Sequence, residues 1–126
     1  MQAYCDYIKE IHGAEVLQHD YGFAVFREDG QCLQIMEFYV RPQDRKSGRA
    51  QELFTELVEE AERRGKLAIA GRIGQEQKTI NSALKFWLRM GGEVACLLNG
   101  EILLSKRVGQ KSEEVWAEYS KPSVTS

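Results

Sequence analysis

The residues Arg45-Lys46-Ser47-Gly48-Arg49-Ala50 bring three cations, a hydroxyl and a glycine into one short polar turn. A β-rich run ends just before it at Pro42. Just after it, Ala50, Leu53, Phe54, Leu57, Val58 and Ala61 follow the spacing of an amphipathic helix that Gly65 ends. Backbone N–H groups at a helix start lack intrahelical partners, and the helix dipole adds partial positive charge there. Gly48 permits a close approach to the backbone and an unusual φ. Such a turn is an anion site of the kind that holds a phosphate or pyrophosphate. Taken as a pattern alone, the same residues equally describe a plain strand-to-helix connection with solvated cations. The spacing matches neither G-x-x-x-x-G-K-[ST] nor G-x-G-x-x-G.

Glu37 is a carboxylate three residues ahead of Val40 in the strand that leads to the turn. The flanking Phe38 and Tyr39 predict an apolar cleft that raises its pKa; an outward-facing strand glutamate in water is the alternative. Cys5, Cys32 and Cys96 are an odd, widely spaced set, which points to free thiols in a reducing compartment and a cytoplasmic location. Cys32 and Cys96 fall in strand-like runs, where a small buried residue is favoured over a nucleophile. His12 and His19 have no partner at a metal-ligand spacing, so no metal site is expected.

These groups must be positioned by a chain of 126 residues, enough for one domain with its own core. Hydrophobic residues make up 43% and charged residues 29%, and the net charge of −2 argues against a nucleic-acid or anionic-membrane partner. No stretch approaches the length of a membrane-spanning helix. Apolar spacing predicts a helix over 3–12, with Ala3, Tyr4, Tyr7, Ile8 and Ile11 inward and Gly13 as its cap. Strands follow at 15–19, 22–28 and 31–41, the last two joined by an Asp29-Gly30 turn. The apolar parity switches between Ile35 and Phe38, which predicts a bulge near Met36 or Glu37. The helix that starts at Ala50 leads to a strand at 66–73, expected to be buried on both faces and parallel to the strand before it. A second helix starts near Asn81 as N-cap, with Ala83, Leu84, Trp87 and Leu88 inward. A hairpin at 93–98 and 101–108 turns at Asn99-Gly100. The fold class is α+β: a mixed, mostly antiparallel sheet flanked by helices on both faces, a three-layer sandwich over residues 1–108. Residues 109–126 read as a C-terminal extension, with Val115, Trp116 and Tyr119 docking from a short helical piece at 112–119 and a frayed tail from Lys121.

With these elements in place, the chain resembles the GNAT superfamily of N-acetyltransferases. Arg45-x-x-Gly48-x-Ala50 matches the signature Q/R-x-x-G-x-G/A at its strand-to-helix junction. Phe38-Tyr39-Val40-Arg41-Pro42 looks like the family's strand ending, and the Asn81–Gly91 segment is similar to its second, weaker signature. By order of elements the resemblance covers about residues 15–108. It implies acetyl-CoA as co-substrate, with amides across Arg45, Lys46, Ser47, Gly48, Arg49 and Ala50 on its pyrophosphate. It further implies that Phe38, Tyr39 and Val40 lie along the pantetheine, with Tyr39 and Val40 pairing by backbone where the sheet splays. The Val40 N–H would polarise the thioester carbonyl. Asn81 and Trp87 stand in the coenzyme-contacting segment, Glu37 stands near the family's glutamate base, and Tyr39 is a substitute acid.

The sequence departs from the family at several points. Trp87 stands where many relatives have the tyrosine that reprotonates the coenzyme thiolate, and an indole N–H cannot do so near neutral pH. As a residue type Trp87 is more often core. The interval from Asn81 to Trp87 is one residue short, and Gly92 replaces a common aromatic. The stretch before the first hairpin is abbreviated, which leaves a thin wall for the acceptor: an open cleft suits a protein substrate, or a homodimer in which a neighbour completes it. Acidic residues Glu28, Asp29, Glu37 and Asp44 suit a cationic acceptor. The implied activity is transfer of an acetyl group to a primary amine, on a protein or a small molecule, by direct attack in a ternary complex. A non-catalytic coenzyme A-binding regulatory or interaction module is the alternative.

Overall fold

The computed structural model describes residues 2–74 and 80–109. In chain order the elements are α1 (Gln2–His12), β1 (Glu15–His19), β2 (Gly22–Asp29), β3 (Cys32–Val40), a 3-10 turn (Pro42–Asp44), α2 (Arg49–Arg63), β4 (Ala68–Ile73), α3 (Ile80–Arg89), β5 (Glu93–Leu98) and β6 (Glu101–Arg107). The helical piece expected at 112–119 and the tail after it lie outside the described residues.

The six strands form one mixed sheet in the order β1-β2-β3-β4-β6-β5. Every pairing is antiparallel except that of β3 with β4, the two strands that α2 connects. Alternation along β2 explains the three layers: Ala24 and Phe26 enter the core under α2 and α3, while Val25 turns to the other face and meets Ile8 and Ala14. α1 therefore covers one face and α2 with α3 the other. On α2, Leu53, Phe54, Leu57 and Ala61 are sealed from solvent. Phe54 is the hinge of this layer, with its ring edge-on to Phe86 at 5.6 Å and to Trp87 at 5.1 Å. Trp87 in turn lies over Gly71, where a Cβ would fall 2.5 Å from the indole, so β4 needs a glycine to let α3 approach.

The structure corrects several expectations. Only Ile8 of α1 is buried and Tyr4 half-buried, whereas Tyr7 and Ile11 are 53% and 56% exposed. One helix reaching the sheet through an i, i+4 pair has no described neighbour for its flanks. α1 packs on β1 and β2, so the far half of its face is open, and β4 is not buried on both sides: Arg72 is exposed. β5 is the outer strand, exposed along its length, and Cys96 lies on the surface instead of in the core. α3 already includes Ile80, so Asn81 is inside the helix and is not its N-cap. Among the described residues no helix is long and apolar enough to cross a membrane.

At the far end of α2, the Arg64 guanidinium donates two hydrogen bonds to Glu15 (2.7 and 2.9 Å) and one to Glu60 (3.0 Å), and it lies over the Phe26 ring. The hydrogen bond from Arg64 holds the Glu15 carboxyl below its ordinary range. A depressed folded-state pKa contributes stability above the ordinary glutamate value that is lost as pH falls through the folded one. Wild type should therefore exceed Glu15→Gln in urea midpoint near neutral pH, with the difference closing through the acid limb. In the core, Phe54→Ala should cost about 3–5 kcal/mol in urea denaturation, while Leu97→Ala on exposed β5 should stay within about 0.5 kcal/mol.

Candidate functional site

The site begins with a break in the sheet. β3 and β4 pair only at Cys32–Ala68, Leu33–Ile69 and Gln34–Ala70. Beyond that point β3 runs on to Val40, while β4 keeps only its pairing with β6. Val25 stands opposite Glu37 and Phe26 opposite Ile35, so Met36 is an extra residue in β3, one of the two positions, with Glu37, at which the parity switch predicts the bulge. The bulge falls where pairing with β4 stops, and a wedge opens between the two strands.

Hydrogen-bond alternation decides which backbone groups face that wedge. The Arg41 N–H donates to the Tyr21 carbonyl at 2.8 Å, and Tyr39 stands opposite Phe23 on β2. Main-chain groups of Tyr39 and Arg41 therefore point to β2, and those of Phe38 and Val40 point into the wedge. This corrects the expectation that Tyr39 and Val40 both offer their backbone there, because β2 already engages Tyr39. The Val40 carbonyl accepts a 2.8 Å hydrogen bond from Arg45 Nε, and the same guanidinium lies over the Tyr39 ring at 5.7 Å. The first residue of the turn is thus fastened to the end of the strand.

The turn itself stands at the mouth of the wedge. Gly48 is the N-cap of α2 with φ +83°, a left-handed conformation, and no side chain caps the helix. The first helical rung is Glu52 N–H to the Gly48 carbonyl at 3.1 Å, so the amides of Arg49, Ala50 and Gln51 precede the ladder. Ser47 is turned back, its hydroxyl donating to the Asp44 carbonyl at 2.8 Å. The cations are less free than the sequence suggests. Arg41 pairs with Asp44, Arg49 pairs with Glu52 at 2.9 Å while lying over the Tyr21 ring, and Arg45 is held by Val40. Lys46 is exposed, and no ion pair engages it among the described residues. Backbone amides and the helix dipole therefore carry more of the anion-binding capacity than formal charge does. A recess of about 280 Å³ beside the turn is lined by His19, Asp20, Tyr21, Arg41, Asp44 and Arg49.

Glu37 and Tyr39 lie on the α1 face, whereas Phe38 and Val40 face α2 and α3. Glu37 is exposed, and the apolar cleft expected from Phe38 and Tyr39 is absent, because the two rings lie on opposite faces. Its partner is Tyr4, whose hydroxyl donates to Glu37 Oε2 at 3.0 Å. Tyr39 is 43% exposed and packs on Phe23 at 5.7 Å. Trp87 is buried against Phe54 and Gly71, the position of a packing residue, and Asn81 is exposed on α3. Glu28 and Asp29 sit at the opposite end of β2 from Gly22, which pairs Val40, and Glu28 is engaged by Lys66 at 3.1 Å. They are not near the wedge; Asp44 lies in the turn that follows β3 and lines the recess there. The sequence reading missed Tyr4 and Tyr21 as neighbours of the site. The i, i+4 pair Tyr4 and Ile8 was its only trace of the former.

No family model matches the chain, and no curated protein matches it by sequence. Its structure is nonetheless close to solved ones. A protein from Desulfovibrio desulfuricans assigned to the GNAT acetyltransferases superposes over 84% of this chain and 78% of its own with a TM-score of 0.71 at 16% identity. A Bacillus subtilis acetyltransferase in complex with CoA matches over 82% and 84% with a TM-score of 0.63 at 17% identity. The PaiA N-acetyltransferase of Thermoplasma acidophilum, in complex with coenzyme A, matches over 69% of this chain with a TM-score of 0.61 at 14% identity. The chain spans 53% of that protein's length. The chain has the GNAT N-acetyltransferase fold.

At Gly48 the backbone, and not the surroundings, demands glycine: an added Cβ meets nothing within 4 Å, yet φ is +83°. Gly48→Ala should therefore cost about 1–2 kcal/mol in urea denaturation despite the open space around it.

Proposed function

We propose that this chain is an acetyl-CoA-dependent N-acetyltransferase that acetylates a primary amine by direct attack in a ternary complex. One observation carries the reading: pairing between β3 and β4 stops at Gln34–Ala70, and the wedge beyond it leads from the Val40 backbone to the Gly48 turn. The pyrophosphate rests on the amides that open α2, with Lys46 and Arg49 supplying charge and Arg45 bracing the turn against the strand. Pantetheine lies along Phe38 and Val40, filling the place of the missing β4 partner. The Val40 N–H donates to the thioester oxygen, a bond that strengthens as charge develops on it. The amine nitrogen attacks the carbonyl carbon from the α1 face and its proton passes to Glu37. The C–S bond then breaks and coenzyme A leaves as thiolate. The acceptor, a protein or a small cation, approaches over the open half of the α1 face.

Trp87 favours a second reading. Its burial in the core leaves α3 without an acid at the position where the family's tyrosine stands, as in a coenzyme-binding module without turnover. On the first reading the thiolate takes its proton from solvent or from Tyr39. The three free cysteines suit a reducing compartment, and we place the protein in the cytoplasm.

Calorimetry with acetyl-CoA should give saturable binding that Lys46→Ala weakens; no heat of binding at high micromolar acetyl-CoA overturns both readings. Thiol release with a panel of amines and lysine peptides should show turnover. Glu37→Gln should then lower kcat by about 10²-fold or more while leaving acetyl-CoA affinity unchanged. An unchanged kcat removes Glu37 from the mechanism.

A further inference from the structure

Glu37 is an exposed side chain on a strand, and a solvated carboxylate of this kind turns freely among its rotamers. Here it does not stand alone. Tyr4 reaches it from α1 across 33 residues of sequence, donating its hydroxyl to Oε2 at 3.0 Å. The Tyr4 ring is itself fixed, edge-on to Phe23 at 6.1 Å, and Phe23 packs on Tyr39 at 5.7 Å. Tyr39 lies under the Arg45 guanidinium, which binds the Val40 carbonyl. One continuous run of contacts thus joins α1, Glu37 and the end of β3. Among the described residues, Tyr4 makes the one hydrogen bond that engages the Glu37 carboxylate.

We propose that Tyr4 is the positioning residue for Glu37 in the acetyl transfer set out above, an inference that rests on that reading. Tyr4 holds Oε2, which fixes the rotamer and leaves Oε1 to receive the proton of the incoming amine. Ordering the base before the substrate arrives removes an entropic cost from the chemical step. Burial, and then the carboxylate beside it, push the Tyr4 phenol up, so it remains a neutral donor at working pH; Glu37 and Cys5 are the titratable groups that act on it. α1 thus acts as an acceptor-side wall that reaches the chemistry through one hydroxyl.

A structural role, with Tyr4 merely pinning α1 to the sheet, predicts different numbers. The test is a double-mutant cycle in the full chain with Tyr4→Phe, Glu37→Gln and both together, reading kcat, amine KM and the acetyl-CoA dissociation constant. Tyr4→Phe should lower kcat about tenfold with acetyl-CoA affinity unchanged, and should have no further effect once Glu37 is Gln. Equal losses in the two backgrounds, or no loss from a folded Tyr4→Phe protein, overturn the inference while leaving the acetyltransferase reading intact. An unaltered kcat in Glu37→Gln removes Glu37 from the mechanism and overturns this inference, whereas wild type that binds no acetyl-CoA overturns the acetyltransferase reading and this inference with it. The contact is also read without turnover, by following tyrosine ionisation in the ultraviolet. Tyr4 and Tyr21 of wild type should both titrate above the ordinary range, and of these two only Tyr4 should move down in Glu37→Gln. Identical titrations of the two proteins overturn the inference.

Discussion

One extra residue in β3 governs the rest of the structure. Met36 breaks the register between β2 and β3, and past it β3 leaves β4 with its partners unmet. A parallel pair that separates exposes backbone N–H and C=O groups at the edge of a core, and such groups need partners. The protein meets part of this demand itself, by folding Arg45 back onto the Val40 carbonyl. The remaining donors and acceptors of Phe38 and Val40 form a short, preformed strand edge. An extended polar ligand can pair with that edge as a strand would.

The aromatic layer keeps the wedge open instead of letting it collapse. Phe54 packs with Phe38, Phe86 and Trp87, so the helix that begins at the Gly48 turn is locked to α3 and to the strand end together. Collapse of β3 onto β4 would require displacing the Phe38 ring from this cluster. The same packing explains why Trp87 is a poor place for proton transfer: its volume is committed to Gly71 and Phe54. Stability and site geometry thus draw on one set of side chains, and on the opposite face α1 brings Tyr4 to Glu37, the pair to which we assign the proton transfer.

Local features of the sequence carried much of this. α2 was legible because its apolar residues keep strict helical spacing, and the bulge because the apolar parity of β3 changes across Met36. The Asn99-Gly100 hairpin was legible from its turn chemistry, and both residues have positive φ. What was not legible depends on tertiary placement. Which face Glu37 occupies depends on whether Met36 or Glu37 is the bulged residue. Glu28 and Asp29 read with Glu37 and Asp44 as one acidic set suited to a cationic acceptor, yet antiparallel pairing places them at the far end of the sheet. The exposure of Cys96 follows from β5 being the outermost strand, which composition does not announce. The tether from Tyr4 to Glu37 spans two elements that share no local pattern.

On the function proposed above, the unpaired main-chain groups of Phe38 and Val40 would receive acetyl-CoA, while Tyr39 is already paired with β2. Residue-resolved hydrogen exchange, with and without acetyl-CoA, reads this directly. The Phe38 and Val40 amides should exchange fast in the free protein and Tyr39 slowly in both states, and Phe38, Val40 and Arg49 to Gln51 should become protected when acetyl-CoA is added. Protection of Phe38 and Val40 in the free protein, or no change at these amides on saturation with acetyl-CoA, would contradict it.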